Sequence, residues 1–153
     1  MDSKKLFFTE VVRDHFFNPR NMFKIPEEAE EYAKTADGVG ETRGLFCGDV
    51  MYMWIKVDGD AIKECKWLTF GCAVAISTTS VLSEMAIGMK LSDALKISSE
   101  DIINKLGDIP KGKFHCSVLG INVLREAINN YFKKTKQEDR IVENESNEKY
   151  NHC

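Results

Sequence analysis

At 153 residues, with 43% hydrophobic and 29% charged side chains, the chain has the length and composition of one soluble globular domain with a single core. A formal net charge of -3, with no Lys/Arg cluster on one face, argues against nucleic-acid binding. The longest uncharged run, Trp67 to Ser83, is broken by serines, threonines and a glycine. It falls short of the roughly 20 apolar residues of a membrane span, so no membrane association is expected.

The first residues, Met1-Asp2-Ser3-Lys4-Lys5, lead into acids and a histidine rather than an apolar core with a cleavage site. They do not read as a signal peptide, and a cytoplasmic location is expected. Five cysteines, an odd number without an export signal, point to reduced thiols rather than a disulfide framework.

From about Lys5 to Phe17, apolar residues at Leu6, Phe7, Val11, Val12 and Phe16 follow helical spacing. Asn18-Pro19 should stop that helix, because proline disfavours helical geometry in the residue before it. Pro26 to Lys34 is acidic and reads as a short helical turn, and the glycine-containing stretch Thr35 to Gly44 reads as loop. Val50 to Val57 alternates as a strand. Asp58-Gly59-Asp60 signals a hairpin turn, and Ile62 to Phe70 is the return strand. Gly44-Leu45-Phe46 would end a third, weaker strand leading into Cys47.

Ala73 to Gly88 is helical and apolar on most sides, with Gly88 as its cap. Ser92 and Ser98 open short helices, the second running to Leu106. Val118 to Lys133 is the last helix, with Ile121, Leu124, Ile128 and Tyr131 on one face. Residues 134–153 are polar and charged and read as a disordered tail after a domain at 1–133. The order of elements predicts an α+β fold, a small three-stranded antiparallel sheet with helices packed mainly on one face.

Three cysteines fall at element ends, in Cys47-Gly48-Asp49, Gly71-Cys72-Ala73 and His115-Cys116-Ser117. Cys72 and Cys116 each stand just ahead of an expected helix, where free N–H groups and the helix dipole favour a thiolate. Glycine beside Cys47 would let the backbone approach a bound centre. Asp49 offers a hard oxygen ligand or an acid–base group, and His115 an imidazole suited to zinc or iron. Against this, a lone cysteine is commonly a small buried hydrophobe, and no Cys-x-x-Cys pair is present. The residues alone leave both readings open. A thiol oxidoreductase would want a resolving pair nearby in sequence, and none is evident.

Taken together, Cys47-Gly48-Asp49, Thr69-Phe70-Gly71-Cys72 and His115-Cys116-Ser117-Val118-Leu119 resemble the IscU/NifU-type iron–sulfur cluster scaffold family. Asp14-His15 and Asn18-Pro19-Arg20-Asn21 add to the likeness, which covers roughly Phe8 to Phe132. The resemblance implies an IscU/SufE-like fold and an assembly scaffold rather than a turnover enzyme. Such a scaffold takes iron and persulfide sulfur from a cysteine desulfurase of the IscS/NifS type, builds a labile [2Fe–2S] cluster and hands it to apo-proteins. It further implies Cys47, Cys72 and Cys116 as cluster ligands, with His115 or Asp49 fourth, Cys116 as the persulfide acceptor and Asp49 as the group that keeps the cluster labile.

Fe²⁺ is then cargo, and Zn²⁺ fits the same residues. The alternative reading is a zinc-dependent, SufU-like sulfur acceptor. That branch carries an extra segment between the second and third cysteines and usually lacks the histidine, so this chain resembles the scaffold branch more. Members served by an Hsp70-type chaperone carry Leu-Pro-Pro-Val-Lys before the His-Cys pair. Here Ile109-Pro110-Lys111-Gly112-Lys113 keeps one proline and Lys113, and the resemblance does not carry chaperone recognition over. Phe8 stands where many members have tyrosine. A homodimer is compatible with the sequence. Cys65 matches no family cysteine and reads as structural. His152 and Cys153 read as incidental, and His15 as solvated or hydrogen-bonded.

Overall fold

The computed structural model describes residues 8–44 and 48–145. Its described elements are α1 (Glu10–Phe17), α2 (Pro26–Ala33), β1 (Gly38–Arg43), β2 (Val50–Asp58), β3 (Ala61–Phe70), α3 (Ala73–Ala86), α4 (Leu91–Ala94), α5 (Ser99–Leu106) and α6 (His115–Lys134). The strands form one antiparallel sheet in the order β1-β2-β3. The fold is α+β.

Side-chain alternation decides which face of the sheet is buried. Met51, Met53 and Ile55 pair with Thr69, Trp67 and Cys65 and share the inner face, where all but Thr69 are fully buried. Each of the three β2 side chains contributes about 1.5–3 kcal/mol by leaving water. The outer face carries a smaller cluster in which Phe23, Ala29 and Trp54 meet Tyr32, Val39, Tyr52 and Leu68. The hairpin turn is Gly59-Asp60, both at positive φ (59° and 63°), the pair of left-handed residues that a two-residue turn needs to match the strand twist.

β1 corrects the expectation of a loop over 35–44. Its sequence, Gly-Val-Gly-Glu-Thr-Arg, hides the strand because its inner-face positions carry glycines. Their reason is α6, which lies directly on them. A Cβ on Gly38 would stand 2.2 Å from the Ala127 carbonyl oxygen, and one on Gly40 2.3 Å from that of Val123. Either substitution would push the helix off the sheet.

α1 starts later than expected, at Glu10, because Thr9 caps it by accepting the Val12 N–H (3.1 Å). Leu6, Phe7, Leu45 and Phe46 lie outside the described residues. α3 is the central helix, and its buried hydroxyls anchor what surrounds it. Ser77 Oγ donates to the Val12 carbonyl at 2.8 Å. Ser80 Oγ accepts the Arg20 N–H at 2.9 Å. Asn21 Nδ2 donates to Ser83 Oγ at 3.0 Å. Gly88 (φ 91°) follows α3 in the left-handed conformation, as the sequence predicts. Ser98 caps α5 in a capping box with Asp101.

The segment after Lys134, expected to be a tail, packs on the domain as far as it is described. Arg140 pairs with both carboxylate oxygens of Asp60 (2.9 and 3.0 Å) and lies over the Phe132 ring. Ile141 and Val142 then pack against the core, and the chain runs along α6 to Glu145. Polar composition concealed this because hydrogen bonds, among them backbone groups met by the side-chain amides of Asn122 and Asn129, make many of the contacts.

Candidate metal centre

The centre lies where two helix N-termini meet. α3 and α6 cross closely at Gly120, where an added Cβ would stand 2.6 Å from Thr78 Cγ2. That crossing brings Cys72, the residue capping α3, to Cys116 in the first turn of α6, with their Sγ atoms 4.0 Å apart. α6 starts at His115 rather than at 118, since a 3-10 turn over Lys111–Lys113 runs straight into it. His115 and Cys116 are therefore rigid helical residues.

Asp49 enters from the start of β2. Its Oδ2 is 3.8 Å from Cys116 Sγ and 3.9 Å from His115 Nε2, and that imidazole nitrogen is 3.6 Å from the same sulfur. Ligand atoms of Asp49, His115 and Cys116 all fall within 4.8 Å of one another. The three are buried, at 6%, 4% and 0% exposure, while Cys72 is half-buried and forms the open side. Room for the carboxylate comes from Gly71, where a Cβ would stand 2.7 Å from Asp49 Oδ1. Gly71 is thus a glycine of close approach, and its position beside Cys72 is the sequence signal for it. His115 Nδ1 is buried with no partner among the described residues.

The two thiols differ. Cys72 is lowered to about 6, by its hydrogen bond from Cys116 first, then by the Ala75 N–H and Lys113, against burial and Asp49. Cys116 is pushed far up by the Cys72 anion, burial and Asp49. Of the two, Cys72 is the thiol that loses its proton more readily. This corrects the expectation of a thiolate at both helix starts: two helix dipoles do not outweigh the repulsion of two adjacent anions. Cys65, opposite Ile55, is fully buried, and burial raises it to about 12, as an inert thiol should be. His15 is 6% exposed and hydrogen-bonded to Ser80. Cys47, His152 and Cys153 lie outside the described residues.

A thiol, an imidazole and a carboxylate grouped together, with a second cysteine sulfur 4.0 Å from the thiol, suit a thiophilic cation. Among the described residues, no helix is long and apolar enough to cross a membrane. Residues 7–138 match the family model of the NifU-like N terminal domain. The chain is 44% identical to the iron-sulfur cluster assembly scaffold protein IscU 1 of Archaeoglobus fulgidus, over 136 residues that make up 89% of this chain and 84% of that protein. It is 41% identical to the nitrogen fixation protein NifU of a Nostoc species, over 81% of this chain and 41% of that longer protein. Among solved structures, a putative iron-sulfur cluster assembly scaffold protein for the SUF system from Fervidobacterium islandicum superposes with a TM-score of 0.66 at 24% identity, covering 82% of this chain and 99% of that one. With a family model spanning most of its length and relatives above 40% identity, the chain belongs to the NifU-like N-terminal domain family.

Proposed function

We propose that this protein is a scaffold on which a labile [2Fe–2S] cluster is built from iron and desulfurase-derived sulfur and then passed to apo-proteins. The observation that carries the reading is the 4.0 Å approach of Cys72 and Cys116 beside Asp49 and His115, a soft-metal pocket open on one side. Cys47, Cys72 and Cys116 are the cluster ligands, with His115 or Asp49 the fourth. The protein accepts and releases its cargo and does not turn over a substrate.

Cys116 is the persulfide acceptor. Its proton is the harder of the two to lose, and a bound cation would favour that loss. The thiolate then attacks the terminal sulfur of the desulfurase persulfide, that S–S bond breaks, and the desulfurase cysteine leaves as a thiolate. Lys113 adds a positive charge at the mouth, beside Cys72. Asp49 is the release group, since a hard oxygen holds an iron–sulfur centre less firmly than thiolate does.

The test is anaerobic reconstitution with desulfurase, cysteine and iron, followed by visible spectroscopy and iron counting. Asp49→Ala should keep its cluster longer in air and transfer it several-fold more slowly to an apo-ferredoxin, an effect of about 1 kcal/mol. Faster loss than wild type would make Asp49 a required ligand and overturn the release role. A second reading, a zinc-bound sulfur acceptor, is favoured by the Asp49/His115/Cys116 set, which suits zinc as well as iron. It predicts sulfur uptake by the zinc-loaded protein and no cluster under reconstitution.

A further inference from the structure

The inner face of the sheet ends in a row that carries a single side chain. Val50 pairs with Arg43 on β1 and with Phe70 on β3, so the next row of the antiparallel register sets Asp49 between Gly44 and Gly71. Inner-face positions along β2 alternate through Ile55, Met53 and Met51, and Asp49 continues that series. It is a carboxylate on the buried face with a glycine on either side. Residues directly opposite in an antiparallel pair hold their Cβ atoms about 4.5–5.5 Å apart, so a side chain at 44 or 71 would lie against Asp49.

The two glycines are not alike. The Gly44 N–H donates to the Asp49 carbonyl at 2.7 Å and holds the main chain there. A Cβ on Gly44 would meet Leu119 Cδ1 at 3.4 Å, Asp49 N at 3.6 Å and Asp49 Cβ at 3.7 Å, all ordinary contacts. On Gly71 it would stand 2.7 Å from Asp49 Oδ1, 2.9 Å from Asp49 Cγ and 3.1 Å from Ala75 Cβ. Backbone conformation does not ask for glycine at 71, since the glycines at positive φ are Gly48, Gly59, Gly88 and Gly107. Among the described residues, Gly71 is the glycine whose Cβ would fall on a charged group. The other oxygen of that carboxylate, Oδ2, faces Cys116 Sγ at 3.8 Å and His115 Nε2 at 3.9 Å.

We propose that Gly71 is a positioning residue of the metal centre: the space left by its missing side chain holds Asp49 Oδ1, which aims Oδ2 at the point shared with His115 and Cys116. Gly71 thereby supplies an oxygen ligand to a site that otherwise offers sulfur and nitrogen. A methyl group at 71 and the carboxylate in its present place exclude each other. Metal–ligand distances tolerate only about 0.2 Å, so moving the carboxylate takes Oδ2 out of the set. The inference rests on the reading of Asp49 as a ligand of this centre.

The test is a double-variant cycle on the metal-free full chain, titrated with cobalt(II) alone and read by its d–d absorbance. Cobalt(II) accepts a carboxylate oxygen beside thiolate and imidazole. Gly71→Ala and Asp49→Ala should each weaken cobalt affinity about tenfold. The two together should weaken it no more than either alone, because the methyl acts only through the carboxylate. Gly44→Ala adds the same methyl on the other side of Asp49 and should leave affinity near wild type. Multiplying effects of the two variants overturn the proposal, as does wild-type affinity in Gly71→Ala. Wild-type affinity in Asp49→Ala overturns it too, since nothing is then positioned.

Urea unfolding of the same metal-free proteins decides the matter if Gly71→Ala folds poorly. The closest conflict is with the carboxylate, so Gly71→Ala should lower the urea midpoint in the wild-type background and far less in Asp49→Ala. An equal loss in both backgrounds, or a double variant that fails to fold, makes Gly71 a backbone requirement and overturns the proposal. Neither measurement uses iron, sulfide or a desulfurase. A protein that builds clusters yet shows no coupling between the two residues refutes this inference alone, and one that shows the coupling yet builds none refutes only the scaffold reading.

Discussion

Two buried histidines flank the central helix, His15 against its C-terminal half and His115 beside its N-terminus, at 6% and 4% exposure. His15 is satisfied: Nδ1 is 2.7 Å from Ser80 Oγ and Nε2 is 3.5 Å from Glu84. Around it, Ser80 also receives the Arg20 N–H, tying the 18–21 loop to α3. His115 is the opposite. Its Nε2 has only the long contacts at 3.6 and 3.9 Å to Cys116 and Asp49, and its Nδ1 has none among the described residues. Buried polar groups are normally paired. A buried imidazole with both nitrogens occupied is a brace, and one left open beside a thiol and a carboxylate is a candidate metal ligand.

The largest expected effect exchanges the two roles. His115→Ala should weaken iron or zinc binding by about tenfold or more and move the melting temperature little, since it removes few hydrogen bonds. His15→Ala should leave metal content per folded molecule unchanged and cost about 1–3 kcal/mol of stability, or several degrees of melting temperature. Titration with metal and thermal melting of both variants decide the matter; matching behaviour would dissolve the distinction.

A pH series sharpens the brace. Burial first, then Arg20, lowers the His15 pKa below its ordinary 6.5, against the pull of Glu84 and Asp14. The folded chain therefore binds fewer protons than the unfolded one below pH 6.5. The His15 contribution is fully present above that value and is lost as pH falls toward the lower folded pKa. Urea midpoints should drop between about pH 7.5 and 5.5 more steeply in wild type than in His15→Gln. Parallel slopes would show that His15 is not the group responsible.

The smallest effect concerns the neighbours of the open histidine. In metal-free protein, iodoacetamide should modify Cys72 with a midpoint near the lowered value of about 6, leaving Cys116 untouched. Cys116→Ala removes the hydrogen bond that contributes most to that shift, and the Cys72 midpoint should climb toward the ordinary 9.0. Equal labelling of both thiols in wild type would mean the proton is not held as described.

The strands β2 and β3, the helices α3 and α5 and their caps were legible because each announces itself locally, by alternation, by an apolar run, or by Ser98 and Gly88 at its ends. Motif order alone also picked out Asp49, Cys72, His115 and Cys116. β1 was not legible, since Gly38 and Gly40 are small for the sake of α6 rather than for the strand. The packing of 135–145 was hidden for a similar reason, its partners being Asn122, Asn129 and Asp60, which local pattern does not connect to it.

The sequence by itself determined which residues are candidates for the chemistry and which segments bury apolar surface, because both depend on residue type and local period. Only the tertiary structure decided which thiol loses its proton more readily and which histidine has a nitrogen without a partner among the described residues. Those follow from the crossing of α3 over α6 at Gly120, which sets two sulfurs 4.0 Å apart in a buried site, where one negative charge is tolerated and two are not.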